Sequence, residues 1–360
     1  MRVNTGFATP MRSAAVAASL AVGTTLVGNA AYADQVKLAE TGSTLLLPLF
    51  NKWAADYQKA HPDVQITTQG TGSGNGISQA SSGGVQIGAS DAYMSDAQMK
   101  SAPGMQNIPL AISSQMINYN VPGLNNQHLK FSGPLLAAIY AGKVKFWDDP
   151  LIAQLNAGVK LPHNEIVPVH RTDGSGDTFI FTQYLSSSTP DWSNSAGFGL
   201  TVNWPAVQGA AGATGNPGMV SASKTAPYSI AYIGISFKTA TDAAGLGEAM
   251  LQNKDGKFVL PDATTVGAAV AEVAPETPPD ERISLIYAPG EQSYPIINYE
   301  YAIVKARQPS ADTAKAVKDF LGWAIDPKGG NAPQYMQAVG FVALPQTILT
   351  LSNYQINLIH

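Results

Sequence analysis

The chain has 360 residues, 21 basic and 25 acidic side chains, a formal net charge of −4 and no cysteine. The acidic balance excludes a nucleic-acid binder, which needs clustered Lys and Arg for many phosphate contacts. The missing cysteine excludes disulfides, thiolate chemistry and a lipid anchored through cysteine, and this length can bury a core without such staples.

Residues 1–33 read as a cleavable export leader. Arg2 and Arg12 give a positive start, an apolar stretch runs from Ala14 to Val27, and Ala31-Tyr32-Ala33 is a small-x-small cleavage site. Removing it leaves 19 basic and 25 acidic side chains, a net charge near −6. The stretch is too rich in Ala and Gly for a membrane span, which needs about 20 strongly apolar residues. The histidines (His61, His128, His163, His170, His360) are scattered, so no metal site is expected.

From residue 34 onward short β-type runs alternate with helical ones, the mark of an α/β fold. Val36 to Ala39 predicts a strand. A helix then carries Leu46, Leu49, Phe50, Trp53 and Tyr57 on one face, and Val64 and Ile66 alternate as a second strand. The turn Gln69 to Ile77 (QGTGSGNGI) leads into a short helix around Ile77 to Ala80, and Val85 to Ala89 predicts a third strand. Asp91 stands just beyond its carboxyl end, where open α/β sheets place their ligands. Ile166, Val167 and Val169 predict a later strand that runs into His170-Arg171-Thr172-Asp173-Gly174-Ser175-Gly176-Asp177-Thr178-Phe179 and a helix. The last apolar helix is predicted over Ala311 to Ala324, with Val317, Phe320 and Leu321 inward.

Three glycine-and-hydroxyl turns thus precede helices: Gly42 to Phe50, Gln69 to Ile77 and His170 to Phe179. A helix start offers unpaired N–H groups and the positive end of the dipole, and Arg171 adds a fixed fork of donors. None has the lysine of a nucleotide-binding loop, so the chemistry suggested is capture of a small oxyanion.

With those residues in view, the chain resembles the periplasmic phosphate-binding proteins that serve phosphate ABC transporters, the PstS-like family. Further matching segments are IGASDA (Ile87 to Ala92), NYNVPGL (Asn118 to Leu124), IYAGKVKFWDD (Ile139 to Asp149), LPHNEIVPVHRTDGSG (Leu161 to Gly176), IAYIGISF (Ile230 to Phe237) and YPIINYEYAIV (Tyr294 to Val304). They follow the family's order over most of the chain after the leader. The resemblance implies an α/β fold of two lobes, type II-like, joined by crossing strands around a cleft. Lobe one would be 34–111 plus 288–360 and lobe two 112–287. Pro109 and Pro289-Gly290 punctuate the expected crossings, and Pro275 to Pro279 reads as an inserted loop.

The resemblance also implies the ligand contacts. Thr44 and Leu45 would offer a hydroxyl and backbone amides, Ser73 a hydroxyl, and Asp91 an acceptor for the proton that phosphate carries and sulfate lacks. Arg171 would be the charged donor, held by Asp173. Ser175 and Gly176 would donate from the second lobe's helix start. Asp177 departs from the family pattern, where a threonine commonly donates. It could turn away and leave its N–H, let Thr178 supply the hydroxyl, or accept a second ligand proton; the first two are favoured. No catalytic residue, cofactor or metal is expected, and the partners would be phosphate and membrane permease subunits, with a monomer in the periplasm. Two other readings compete. A phosphate-ester hydrolase would have only His170 as its base, and strand alternation aims it opposite to Arg171. A carrier of another oxyanion would set Asp91 against a bare acceptor.

Overall fold

In this computed structural model residues 35–360 are described, with residues 1, 6 and 8; the expected leader and its cleavage site otherwise lie outside the described residues. Residues 35–360 build one continuous nine-stranded sheet with helices on its faces, and a small three-stranded sheet beside it.

The N-terminal half of the sheet follows the predicted alternation. β1 (Val36–Gly42) is followed by α1 (Leu47–Ala60), β2 (Val64–Gly70), α2 (Ser73–Ser82) and β3 (Ile87–Ser90). β1 lies at the middle of this group, parallel to β2 from Val36↔Val64 to Gly42↔Gly70 and to β3 at Glu40↔Ile87. The face read from the spacing is the face that is buried: Leu49, Phe50, Trp53, Ala54 and Tyr57 of α1 face the core, each large side chain contributing about 1.5–3 kcal/mol. Tyr57 meets the Phe320 ring edge-on at 5.1 Å, and the Trp53 indole N–H donates to the Gly330 carbonyl at 2.8 Å.

β4 (Met105–Asn120) joins the two halves of the sheet. Its first part, through Ser114, pairs antiparallel with the Ile297–Lys305 strand, which in turn pairs with β3. From Gln115 onward it pairs with Ser229–Gly234, and the order continues through Val167–Arg171 to Ala211–Ala213. The partner therefore changes between Ser114 and Gln115. Pro109, expected to punctuate a crossing, lies inside this strand. It sits opposite Tyr301, while Ala111 sits opposite Glu300, so Leu110 is one extra residue. A bulge tolerates a residue without an N–H, which an unbroken ladder would not. The return runs without regular structure from Glu281 to Ile296.

Two corrections fall at the ends of predicted elements. The third strand starts at Ile87, not Val85. The helix at Ala311–Ile325 is not the last: Pro333–Val339 and Gln346–Asn357 follow it. Among the described residues no helix is long and apolar enough to cross a membrane.

Candidate anion site

Four segments bring their ends together at one place. β1 ends at Gly42 and passes through Ser43, Thr44 and Leu45 into α1; β2 ends at Gly70 before α2. β3 ends at Ser90, immediately before Asp91, and the Val167–Arg171 strand ends before the Gly176–Ser188 helix. The helix starts of the two half-sheets touch, since the Gly74 N–H donates to the Gly174 carbonyl at 2.9 Å. Gly72 needs to be glycine here. Its φ is +90°, and a Cβ would stand 2.6 Å from Asp173 Oδ2 and 2.7 Å from the Gly174 carbonyl oxygen.

Asp91 is almost fully buried at 2 % exposure. Its Oδ1 accepts from the Ser43 hydroxyl, its Oδ2 from Ser73 Oγ at 3.3 Å, and its N–H donates to Ser73 Oγ at 3.2 Å. Gly176 lies directly across, where a Cβ would come within 2.4 Å of Asp91 Oδ2 and 2.5 Å of Ser73 Oγ. The aspartate thus abuts the first turn of a helix that belongs to the other half-sheet. Burial pushes its carboxyl up to about 7, and the nearby Asp177 adds to that, while hydrogen bonds from Glu300 and Ser43 pull it down.

Arg171 is buried between two carboxylates. Its Nε donates to Asp173 Oδ1 at 2.7 Å, its Nη2 donates to Asp173 Oδ2, and its Nη1 donates to Asp177 Oδ2 at 2.9 Å. Three of the five guanidinium N–H donors are used in this way, and the fork is fixed from both sides. The pairing holds the Asp173 carboxyl below its ordinary range despite its burial. Asp177 is held by two further donors: Asn216 Nδ2 at 2.7 Å to Oδ2 and Gln115 Nε2 at 3.1 Å to Oδ1. Burial still raises its carboxyl from the usual value, against the pull of Arg171.

The hydroxyls differ in what they have left to give. Thr44 Oγ1 accepts from the Asn216 N–H at 3.1 Å and from Asn216 Nδ2 at 3.0 Å, so its own proton is free to donate. Ser175 Oγ caps its helix by accepting from the Thr178 N–H at 3.2 Å, which likewise leaves its proton. The Thr178 hydroxyl is 2.7 Å from Tyr232 Oη, which also accepts from the Arg171 N–H at 2.9 Å. The Asp177 side chain lies on Arg171, and its backbone N–H belongs to the open first turn of the helix. Leu45 is buried, and its carbonyl accepts from Ser236 Oγ at 2.7 Å. His170 stacks on Trp204 at 4.9 Å, with its Nδ1 on the Arg171 carbonyl.

Four residues of this site were not read from the sequence: Ser43, Gln115, Asn216 and Glu300. Asn216 begins the Gly215–Thr225 helix after the Ala211–Ala213 strand, in the segment GATGNPG. That is a fourth turn of the kind already noted, and the same reasoning could have found it. Glu300 is a lone acid within the apolar strand INYEYAIVK, itself a signal. Gln115 lies in a strand with nothing local to mark it.

A crossed sheet whose halves meet helix starts, carboxyl strand ends and one buried arginine defines a solute-binding protein. The pattern of a PBP superfamily domain matches residues 23–328. The chain is 36 % identical to the phosphate-binding protein PstS of Methanocaldococcus jannaschii, covering 89 % of this chain and 85 % of that one. It is 34 % identical to PstS of Pasteurella multocida, covering 86 % of each. The chain belongs to the PstS family of phosphate-binding proteins. Solved structures share the fold: the periplasmic phosphate-binding protein PfluDING bound with phosphate (TM-score 0.70, 21 % identity, 88 % of this chain and 92 % of that one) and a phosphate-binding protein of Stenotrophomonas maltophilia (TM-score 0.67, 19 %, 89 % and 94 %).

Proposed function

We propose that this chain is exported, binds one inorganic phosphate between its two half-sheets, and hands it to the permease of an ABC transporter. The observation that carries this reading is the buried Asp91 set against the helix start at Gly176, with Arg171 beside it. An anion there would meet the hydroxyls of Thr44 and Ser175, the backbone N–H groups of Leu45, Gly176 and Asp177, the remaining donors of Arg171, and Ser73 once its hydroxyl turns from Asp91 to the ligand. A carboxylate turned toward the ligand is a hindrance to a bare anion and an advantage for one that carries a proton. Sulfate would put acceptor against acceptor in a buried place, at a cost of several kcal/mol; phosphate offers Asp91 a hydrogen. The names of the relatives point the same way. Asp173 and Asp177 orient Arg171 and spend part of its charge, and neither Thr178 nor the Asp177 carboxylate is needed as a ligand donor.

The lobes would be 34–111 with 288–360 and 112–287, supported by the change of strand partner inside β4. Each lobe brings part of the donor set, so the ligand favours the closed form and the permease has a loaded shape to read. The carrier would work as a monomer in the periplasm, and the acidic surface gives it no affinity for nucleic acid.

Isothermal titration of the chain without its leader, stripped of ligand by partial unfolding, tests this. One phosphate per chain at micromolar affinity or better is expected, about −8 kcal/mol, with no heat from sulfate. Asp91→Asn should narrow the gap between the two anions. No heat from phosphate would sink the reading.

A further inference from the structure

Glu300 lies in the Ile297–Lys305 strand at the centre of the sheet and is fully buried, with no basic side chain paired with it among the described residues. Its two oxygens are treated differently. Oε1 lies against two shared donors: Ser113 Oγ at 2.6 Å, which also reaches Asn298 Oδ1 at 2.8 Å, and Asn298 Nδ2 at 3.2 Å, which also reaches the Tyr299 carbonyl at 2.8 Å. Oε2 is buried with no donor among the described residues. The same Asn298 amide donates to the Asp91 carbonyl at 3.0 Å, and the register sets Tyr301 opposite Ser90, so the Glu300 carboxyl comes within hydrogen-bond range of the Asp91 carboxyl. Two carboxyl groups in contact in a buried place cannot both be ionised. An oxygen with donors behaves as a carbonyl, and one without them behaves as a hydroxyl that must itself donate.

We propose that Glu300 is a positioning residue, protonated in the folded protein, whose hydrogen is donated to Asp91, favours the ionised form of that carboxyl and aims it as the acceptor of the ligand's proton. The charges around the pair agree. Asp177, on the Gly176–Ser188 helix, repels a charge on Asp91; Arg171, at the end of its strand, attracts one and is itself shared with Asp173. Burial, and next the Asp91 charge, raise the Glu300 carboxyl well above its ordinary range. The donor from Glu300 works in the opposite sense on Asp91 and favours its ionised form. Ionised together, Asp91, Asp173, Asp177 and Glu300 would outnumber Arg171 four to one, a poor setting for an anion; a proton on Glu300 removes one of those charges without removing a contact.

The role of Asp91 rests on the phosphate reading, but the protonation of Glu300 can be read without any ligand. Infrared difference spectra of the wild-type chain against Glu300→Gln at neutral pH should show the carbonyl stretch of a protonated carboxylic acid that Gln lacks. Glu40 and Glu281, also buried acids with raised values, are common to both chains and cancel. The band should persist in Asp91→Asn, which assigns the proton to Glu300. A spectrum without the band, or a band lost in Asp91→Asn, overturns the proposal. Titration with inorganic phosphate reads the consequence. Gln has an N–H for Asp91 and a carbonyl for Ser113 and Asn298, so Glu300→Gln should bind within about threefold of wild type, whereas Glu300→Leu, with no donor to the charged acceptor, should lose roughly tenfold or more. Equal affinity in the Gln and Leu variants would defeat the positioning role, and if Leu does not fold the Gln variant and its spectrum still decide. Failure of the wild-type chain to bind phosphate would fell the ligand assignment and leave the infrared result standing.

Discussion

Glu281 and Glu300 are both buried glutamates raised by burial, yet they do different things. Glu281 lies at the start of the irregular return segment with a φ of +56°. Each of its oxygens has one donor: Ser352 Oγ to Oε1 at 2.8 Å and Gln355 Nε2 to Oε2 at 2.8 Å, both from the Gln346–Asn357 helix. Its carbonyl accepts from Tyr301 Oη at 2.9 Å. That carboxyl ties a returning chain to the C-terminal helix and is pushed up to about 8. Glu300 has its donors on one oxygen and none among the described residues on the other, with Asp91 beside the carboxyl. The distribution of donors over the two oxygens, more than burial, separates a carboxyl that fastens the fold from one that acts on a neighbour.

The contrast breaks first under truncation. Glu281→Leu should lower stability by about 2–4 kcal/mol in denaturant unfolding, since it strands the Ser352 and Gln355 donors. Its phosphate affinity should stay within about twofold of wild type. A large loss of affinity with stability intact would make Glu281 part of the site and erase the distinction.

A second test uses pH on the empty protein. The folded chain holds a proton on Asp91 up to about pH 7, against an ordinary value of 3.8, so it binds more protons than the unfolded chain within that window. Stability must therefore fall as pH rises from about 4 to 7, and Glu281 adds a similar slope from its ordinary 4.5 to about 8. Asp91→Asn should flatten the lower part of the melting profile between pH 5 and 7 by at most about 3 kcal/mol, and Glu281→Gln the upper part. Identical profiles for wild type and Asp91→Asn would mean that Asp91 is already ionised in the empty protein.

The smallest effect is expected at Thr178. With its hydroxyl engaged by Tyr232, Thr178→Val should change phosphate affinity by less than about threefold and cost about 1 kcal/mol of stability. A loss of a hundredfold would return Thr178 to the ligand and show that the hydroxyl turns when the anion enters.

Much of the first half-sheet was legible because its signals are local. The apolar stripe of α1, the alternation at Val64 and Ile66, and small residues at strand ends each act within a few residues. The two C-terminal helices were not read from the sequence; Pro333 stands at the first position of one and Pro345 caps the other. Pro109 was expected at a crossing and lies within the crossing strand β4, at a bulge whose position is set by the partner strand. The turns at Thr44, Ser73, Asp91 and Arg171 stand where strand ends were expected. Asn216 would have joined them had the fourth turn been weighed alike.

Composition, spacing and turn chemistry by themselves determined an α/β chain with donor-rich helix starts, a lone Arg171 and an aspartate after a strand. Those properties depend on backbone conformation and side-chain type within one or two turns of chain. Only the tertiary structure decided which acids share a proton and which donors serve whom. Asp91 and Glu300 are 209 residues apart, and strand register places one against the other. Gln115 reaches Asp177 because β4 crosses from one half-sheet to the other at that residue. Burial and contact between distant groups set protonation, and neither is written in the neighbours of a residue along the chain.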